Sequence, residues 1–117
     1  MSTFQLHPAL QFVWLTVSDL NRSVRFYSDT LKFPVQVQNN AFAIVQLGES
    51  ALYLAVGEAT PGNMHLAISV EDVDAFHQQL QAQGLPVTPP EDEGWARYIN
   101  LLDPDGYQLL ILTRTTL

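Results

Sequence analysis

The stretch Thr16-Val17-Ser18-Asp19-Leu20 returns 53 positions later as Ser69-Val70-Glu71-Asp72-Val73, and Phe33-Pro34-Val35 returns 52 positions later as Leu85-Pro86-Val87. Recurrence at a nearly fixed offset marks a duplicated structural unit. Outward from the first stretch, the run LQFVWLTV at residues 10–17 is apolar, β-branched and aromatic, which predicts a strand buried on both faces. Ser18 or Asp19 then caps a helix in which Leu20, Val24, Tyr27 and Leu31 fall three or four apart, with Arg22, Arg25 and Asp29 on the other side. Three strands are expected next, at residues 35–38, 42–47 and 51–56. Asn39-Asn40 and Gly48-Glu49-Ser50 separate them as hairpin turns do.

After a turn-forming loop at residues 57–63 the order repeats. Residues 64–70 read as a strand, and residues 71–83 as a helix with Val73, Phe76 and Leu80 on one face and Gly84 as its stop. Residues 86–88 read as a short strand. Residues 95–102 and 107–112 then pair around the turn Asp103-Pro104-Asp105-Gly106, where Asp followed by Pro suits a type I turn and gives both aspartates a structural role. The expected fold class is α+β: one domain over residues 1–117, built of two tandem βαβββ modules at about 8–57 and 63–114.

Composition narrows the function. A chain of 117 residues with 47% hydrophobic and 15% charged residues can bury a true core. The absence of cysteine removes disulfides, thiolate metal sites and thiol nucleophiles. Residues 1–58 hold four acids and three bases, residues 59–117 eight acids and two bases, for a net charge of −7. Such a chain repels phosphate backbones, so nucleic acid is not an expected partner and a cationic or neutral ligand fits better. No apolar run approaches the roughly 20 residues of a membrane span, and the N-terminus lacks a basic start and apolar core, so a cytoplasmic protein with no membrane partner is expected.

Side chains alternate across a strand, so the four longest strands divide by parity. One parity is wholly aliphatic: Val13, Leu15, Val17; Leu52, Leu54, Val56; Leu66, Ile68, Val70; Leu109, Ile111. That face is expected to pack under the helices. The other parity mixes Phe12, Trp14, Thr16; Ala51, Tyr53, Ala55; His65, Ala67, Ser69; and Gln108, Leu110, Leu112. Aromatic rings beside small residues and a few polar tips are what a small-molecule pocket presents, while a partner interface is the competing reading.

Several motifs together resemble the vicinal oxygen chelate superfamily, which includes glyoxalases, extradiol dioxygenases, fosfomycin-resistance enzymes and bleomycin-resistance proteins. They are Val17-Ser18-Asp19-Leu20-Asn21-Arg22-Ser23 with Phe26-Tyr27 and Leu31, His65 to Val70 leading to Asp72, and Asp103-Pro104-Asp105-Gly106-Tyr107. The resemblance spans nearly the whole chain. It implies paired βαβββ modules forming an open, cup-shaped mixed sheet with helices outside, commonly completed by a second chain in a homodimer.

It also implies a divalent metal held at four register positions, which here are Phe12, Tyr53, His65 and Leu110. Only His65 is an ordinary ligand, and tight catalytic sites draw on about three, so the expectation is that no metal or other cofactor is held. In this respect the chain resembles the bleomycin-resistance proteins, which bind a drug without transforming it, and Trp95-Ala96-Arg97-Tyr98 resembles their tryptophan-containing strand. The expected function is a dimeric binder of a small aromatic or cationic compound, of the drug-sequestering resistance type. Expected ligand contacts are Phe12, Trp14, Tyr53, His65, Trp95, Tyr98 and Leu110, with no catalytic residue assigned.

The alternative is an enzyme. It is either a lyase or dioxygenase recruiting His65 with Glu49 or Gln46, or a metal-independent catalyst using His65 and Tyr53 as acid and base. Of the remaining candidates, Trp95 is expected near a rim and Arg97 is expected to pair with a carboxylate. His77, the acidic loop Glu91-Asp92-Glu93 and the N-terminal His7 are expected to be solvated.

Overall fold

The computed structural model describes residues 6–114. The strands are β1 (Phe12–Val17), β2 (Val35–Asn39), β3 (Phe42–Leu47), β4 (Ser50–Val56), β5 (His65–Ser69), β6 (Glu91–Asp92), β7 (Ala96–Leu102) and β8 (Gln108–Arg114). Helix α1 (Leu20–Arg25) follows β1 and α2 (Val73–Ala82) follows β5. The strands form two four-stranded mixed sheets of the same topology, β1-β4-β3-β2 and β5-β8-β7-β6. In each, the first strand runs parallel to the last. The duplicated sequence therefore folds as two α+β modules of one design.

The matching aspartates do matching work. Asp19 accepts from the Arg22 amide at 3.1 Å and Asp72 from the Ala75 amide at 3.1 Å, so each caps its helix as the repeat implies. The aliphatic parity forms the core, with Leu15, Val17, Leu52, Leu54, Leu66, Ile68, Leu109 and Ile111 all buried.

Three local expectations are corrected. First, β1 is buried on one face only: Phe12 is 43% and Trp14 55% exposed, because β1 ends its sheet and that face has nothing over it. Second, residues 86–88 form no strand, and the fourth strand of the second sheet is Glu91–Asp92. Pro86, Pro89 and Pro90 lack the amide hydrogen a ladder needs, which pushes pairing past the last proline. Third, the first helix does not stay α-helical to Leu31. It widens to a π-helical turn at Phe26–Thr30 with the Leu31 amide bonded to the Phe26 carbonyl at 2.9 Å, a form apolar periodicity does not distinguish.

The wider turn carries the fully buried Tyr27, whose hydroxyl donates to Asp103 Oδ2 at 2.8 Å across the two modules. Asp103 is only 4% exposed. Its Oδ1 accepts from the amides of Asp105 and Tyr107, both at 2.9 Å, so the carboxylate shapes its own turn while gripping the other module. Tyr107 reaches back to donate to the Thr16 carbonyl at 2.8 Å, and Asp105 accepts from the Ser18 hydroxyl and from Arg22 Nη2 at 3.1 Å. On the helical side Gln79 and Gln83 donate to the Thr30 carbonyl at 3.1 and 2.9 Å, and Phe33 stacks on Phe76. The 103–107 turn thus joins the modules.

Burial pushes the Asp103 carboxyl above its ordinary value, with the Tyr27 hydrogen bond opposing. A carboxyl raised in the native state adds most stability when protonated, below the ordinary carboxylate range, and loses that contribution as pH climbs through its native value. The stability difference between wild type and Asp103→Asn is therefore expected to shrink as pH rises from 4 to 7. Tyr27→Phe, which strips a buried bond to a carboxylate, is expected to cost about 1–3 kcal/mol in urea denaturation, and Asp103→Ala more, since it orphans a hydroxyl and two amides.

Candidate functional site

The second parity face of the first sheet holds a packed set of aromatic rings. Phe12 stacks on Tyr53 with centroids 4.1 Å apart and planes 12° off parallel. Trp14 lies 6.2 Å from Tyr53 and 5.5 Å from Phe42, and Phe42 meets Tyr53 edge-on at 5.3 Å. Register explains the cluster: Trp14 is directly opposite Tyr53 on β4, Tyr53 opposite Ile44 on β3, and Phe42 opposite Ala55. The small Ala51 and Ala55 beside Tyr53 leave room for the rings. Phe42 was not among the expected contacts. Its strand was not divided by parity, and extending the β3–β4 hairpin register one step exposes it as a face partner of Trp14.

The same face of the second sheet is of another kind. His65 is opposite Gln108, Ala67 opposite Leu110 and Ser69 opposite Leu112, while Leu110 and Leu112 in turn oppose Asn100 and Tyr98 on β7. His65 is exposed, and Tyr98 and Leu110 half-buried. Burial, then Glu91 and Glu93, push the Tyr98 phenol up. Trp95 precedes β7, and Arg114 sits 5.9 Å over its ring. The expected contacts therefore fall in three groups: Phe12, Trp14 and Tyr53 on one sheet, His65, Tyr98 and Leu110 on the other, and Trp95 with Arg114 at the end of β7.

A cleft of about 790 Å³ opens between the modules, from Leu10, Val13 and the β3–β4 turn to β5. Its polar lining includes Gln46, Ser50, His65, Ser69 and Glu71. Gln46 and His65 both line it, whereas Glu49 and Tyr53 do not. Gln46 Nε2 donates to the carbonyls of Gly48 at 2.7 Å and Ser50 at 3.2 Å, which leaves its amide oxygen as the unoccupied group.

Arg97 pairs as expected, donating through Nε and Nη2 to the two oxygens of Asp74 at 3.1 and 2.7 Å, with Asp92 3.9 Å away. His77 departs from expectation: it is 7% exposed, and its Nε2 has no hydrogen-bond partner. Helical period accounts for it: His77 stands four residues after Val73 and three before Leu80, so all three share the buried stripe of α2.

The family model described as the Glyoxalase/Bleomycin resistance protein/Dioxygenase superfamily matches residues 6–111. The chain belongs to that superfamily. The metallothiol transferase FosB of Staphylococcus epidermidis is 27% identical over 92% of this chain and 82% of its own length. The glutathione transferase FosA of Serratia marcescens is 30% identical over 86% of this chain and 77% of its own. Among solved structures, TnmS3, an antibiotic binding protein from Streptomyces sp. CB03234, superposes with a TM-score of 0.77 at 23% identity, over 96% of this chain and all of that one, which establishes a shared fold.

The metallothiol transferase relative overturns the expectation that the chain holds no cofactor. That expectation counted donors at Phe12, Tyr53, His65 and Leu110 alone. These four do not fit an ion by themselves: Phe12 and Leu110 lack lone pairs, and Tyr53 lies stacked in the aromatic cluster. The four-position count left out oxygens elsewhere in the cleft, where Glu71 and the Gln46 of the alternative reading share a lining with His65. Among the described residues no three His, Asp or Glu side chains gather as a metal cluster. No helix in the described residues is long and apolar enough to cross a membrane.

The Arg97 fork holds the Asp74 carboxyl below its ordinary value. Arg97→Gln is expected to move the Asp74 titration, followed by carboxyl-carbon NMR, upward toward the ordinary carboxylate range.

Proposed function

We propose that this chain is a small-molecule-binding member of its superfamily, of the drug-sequestering resistance type, which takes up a planar aromatic or cationic compound on the Phe12–Trp14–Phe42–Tyr53 platform. The observation that carries the reading is the exposure of Trp14 beside Tyr53 and Phe42, with Phe12 stacked on Tyr53. A lone surface tryptophan is unremarked, but an open aromatic row on a rigid sheet offers a ready stacking surface, each favourable ring contact being worth about 0.5–1.5 kcal/mol beyond burial. The charge of −7 favours cations among flat ligands.

The functional unit of this proposal is a homodimer. Both β1 and β5 end their sheets with unpaired backbone, and β1 is apolar on its open face, the kind of edge proteins ordinarily cover. The chain is also extended, with a radius of gyration of 15.8 Å, where about 13 Å suits a compact chain of this length. A two-fold pairing that sets β1 of one copy beside β5 of the other covers both edges at once and closes two equal cups.

A second reading is catalysis with a bound metal. It draws support from the transferase relatives and from the cleft that joins His65 to the oriented Gln46. Titration with Mn2+ or Zn2+ separates the two. Tight binding of about one equivalent, lost in His65→Ala, supports the metal reading.

For the leading reading, proflavine is expected to quench tryptophan fluorescence saturably. Trp14→Ala is expected to weaken binding up to about tenfold, the upper end of one lost stacking contact. Unchanged affinity in Trp14→Ala removes the platform from the site, and a monomer by sedimentation velocity removes the paired cups.

A further inference from the structure

Five polar side chains, His65, Ser69, Tyr98, Asn100 and Gln108, stand on one face of the second sheet around the half-buried Leu110, with Leu112 buried between Ser69 and Tyr98. None makes a hydrogen bond to another described residue, whereas the amides of Gln46, Gln79 and Gln83 are all engaged. The five sit on three adjacent strands. With strands about 4.8 Å apart and same-face residues about 6.8 Å apart, they border a floor of roughly 10 by 13 Å with an apolar centre. That is the footprint of three fused six-membered rings. At one end Glu91 lies directly opposite Tyr98 on the paired strand, with Glu93 near the same hydroxyl.

We infer that this face reads the polar edge of the ligand, selecting a fused, planar, positively charged ring system that carries hydrogen-bonding substituents on its rim. The inference rests on the small-molecule reading above and adds a division of labour. The aromatic platform supplies area and stacking for any flat ring. The second sheet discriminates among flat rings, since a ligand without rim groups leaves these amides and hydroxyls to lose water with no replacement partner. Asn100, directly opposite Leu110 on β7, and Gln108, two residues before Leu110 on β8, are placed to take a substituent each. Glu91 and Glu93 supply the field that favours a cation.

Three tricyclic probes separate the contributions: proflavine, a cation with two rim amino groups; 10-methylacridinium, a cation with none; and acridine at pH 8, which has neither feature. Wild type is expected to bind in that order of affinity. Asn100→Ala combined with Gln108→Ala is expected to weaken proflavine about tenfold and leave 10-methylacridinium within about twofold, as the loss of hydrogen bonds predicts. Glu91→Gln with Glu93→Gln is expected to weaken both cations and spare acridine. Trp14→Ala is expected to weaken all three. Asn100 is exposed and Gln108 half-buried, and thermal melts check that each variant is folded; Asn100→Leu with Gln108→Met, which keep the bulk and remove the amides, replaces the alanine pair if that pair is not. Equal wild-type affinity for the three probes, or equal loss for all three in the Asn100/Gln108 variant, overturns the inference and leaves the platform standing. Failure of wild type to bind any probe overturns both.

Discussion

A buried carboxylate holds this molecule together. Asp103 lies in a turn of the second module, yet one of its oxygens receives the Tyr27 hydroxyl from the first module while the other gathers two amides of its own turn. A charged acceptor in a dry setting is costly unless fully bonded, and here each oxygen is bonded. Because the same few residues also place Tyr107 on Thr16 and Asp105 on Ser18 and Arg22, this turn, together with the Gln79 and Gln83 bonds to Thr30, ties the two modules. The cleft between the modules and the separation of the two open faces follow from these ties.

Each module packs its aliphatic side beneath a helix and leaves its other side open, but the two open sides have diverged. One became aromatic and the other hydrogen-bonding with an apolar centre. Duplicated units that keep one backbone plan free their outward faces to specialise, since the core parity alone has to be preserved for folding. Two unlike faces suit the recognition of a compound that is itself unlike on its flat side and its edge.

Much of this was legible in the residues. The offset repeat, the aliphatic parity and the two capping aspartates each express a local rule, so strand order, helix starts and the core follow from sequence directly. The site was legible by face but not by neighbour. Phe12, Trp14 and Tyr53 share a face by parity, yet only register across strands adds Phe42, and only the tertiary fold puts His65 and Gln46 in a cleft that Tyr53 does not line. The open side of β1 is decided by what another element leaves uncovered, whereas His77 lies on the Val73–Leu80 stripe and its burial follows from the helical period itself. Counting metal donors at four positions failed likewise, since ligands are assembled in space.

The π-helical turn at Phe26–Thr30 has a bearing on how the chain tolerates change in length. Such a turn holds one residue more than an α-helical one, and Tyr27, which bonds Asp103, lies within it. Removing a single residue from this segment restores ordinary helical winding and turns Leu31 by about 100° around the axis relative to Tyr27. Leu31 then meets the core from the opposite flank of the inward stripe and no longer fills the same place. A short, partly exposed stretch that looks indifferent to shortening is in fact gauged to the residue, and drift by deletion is closed to it.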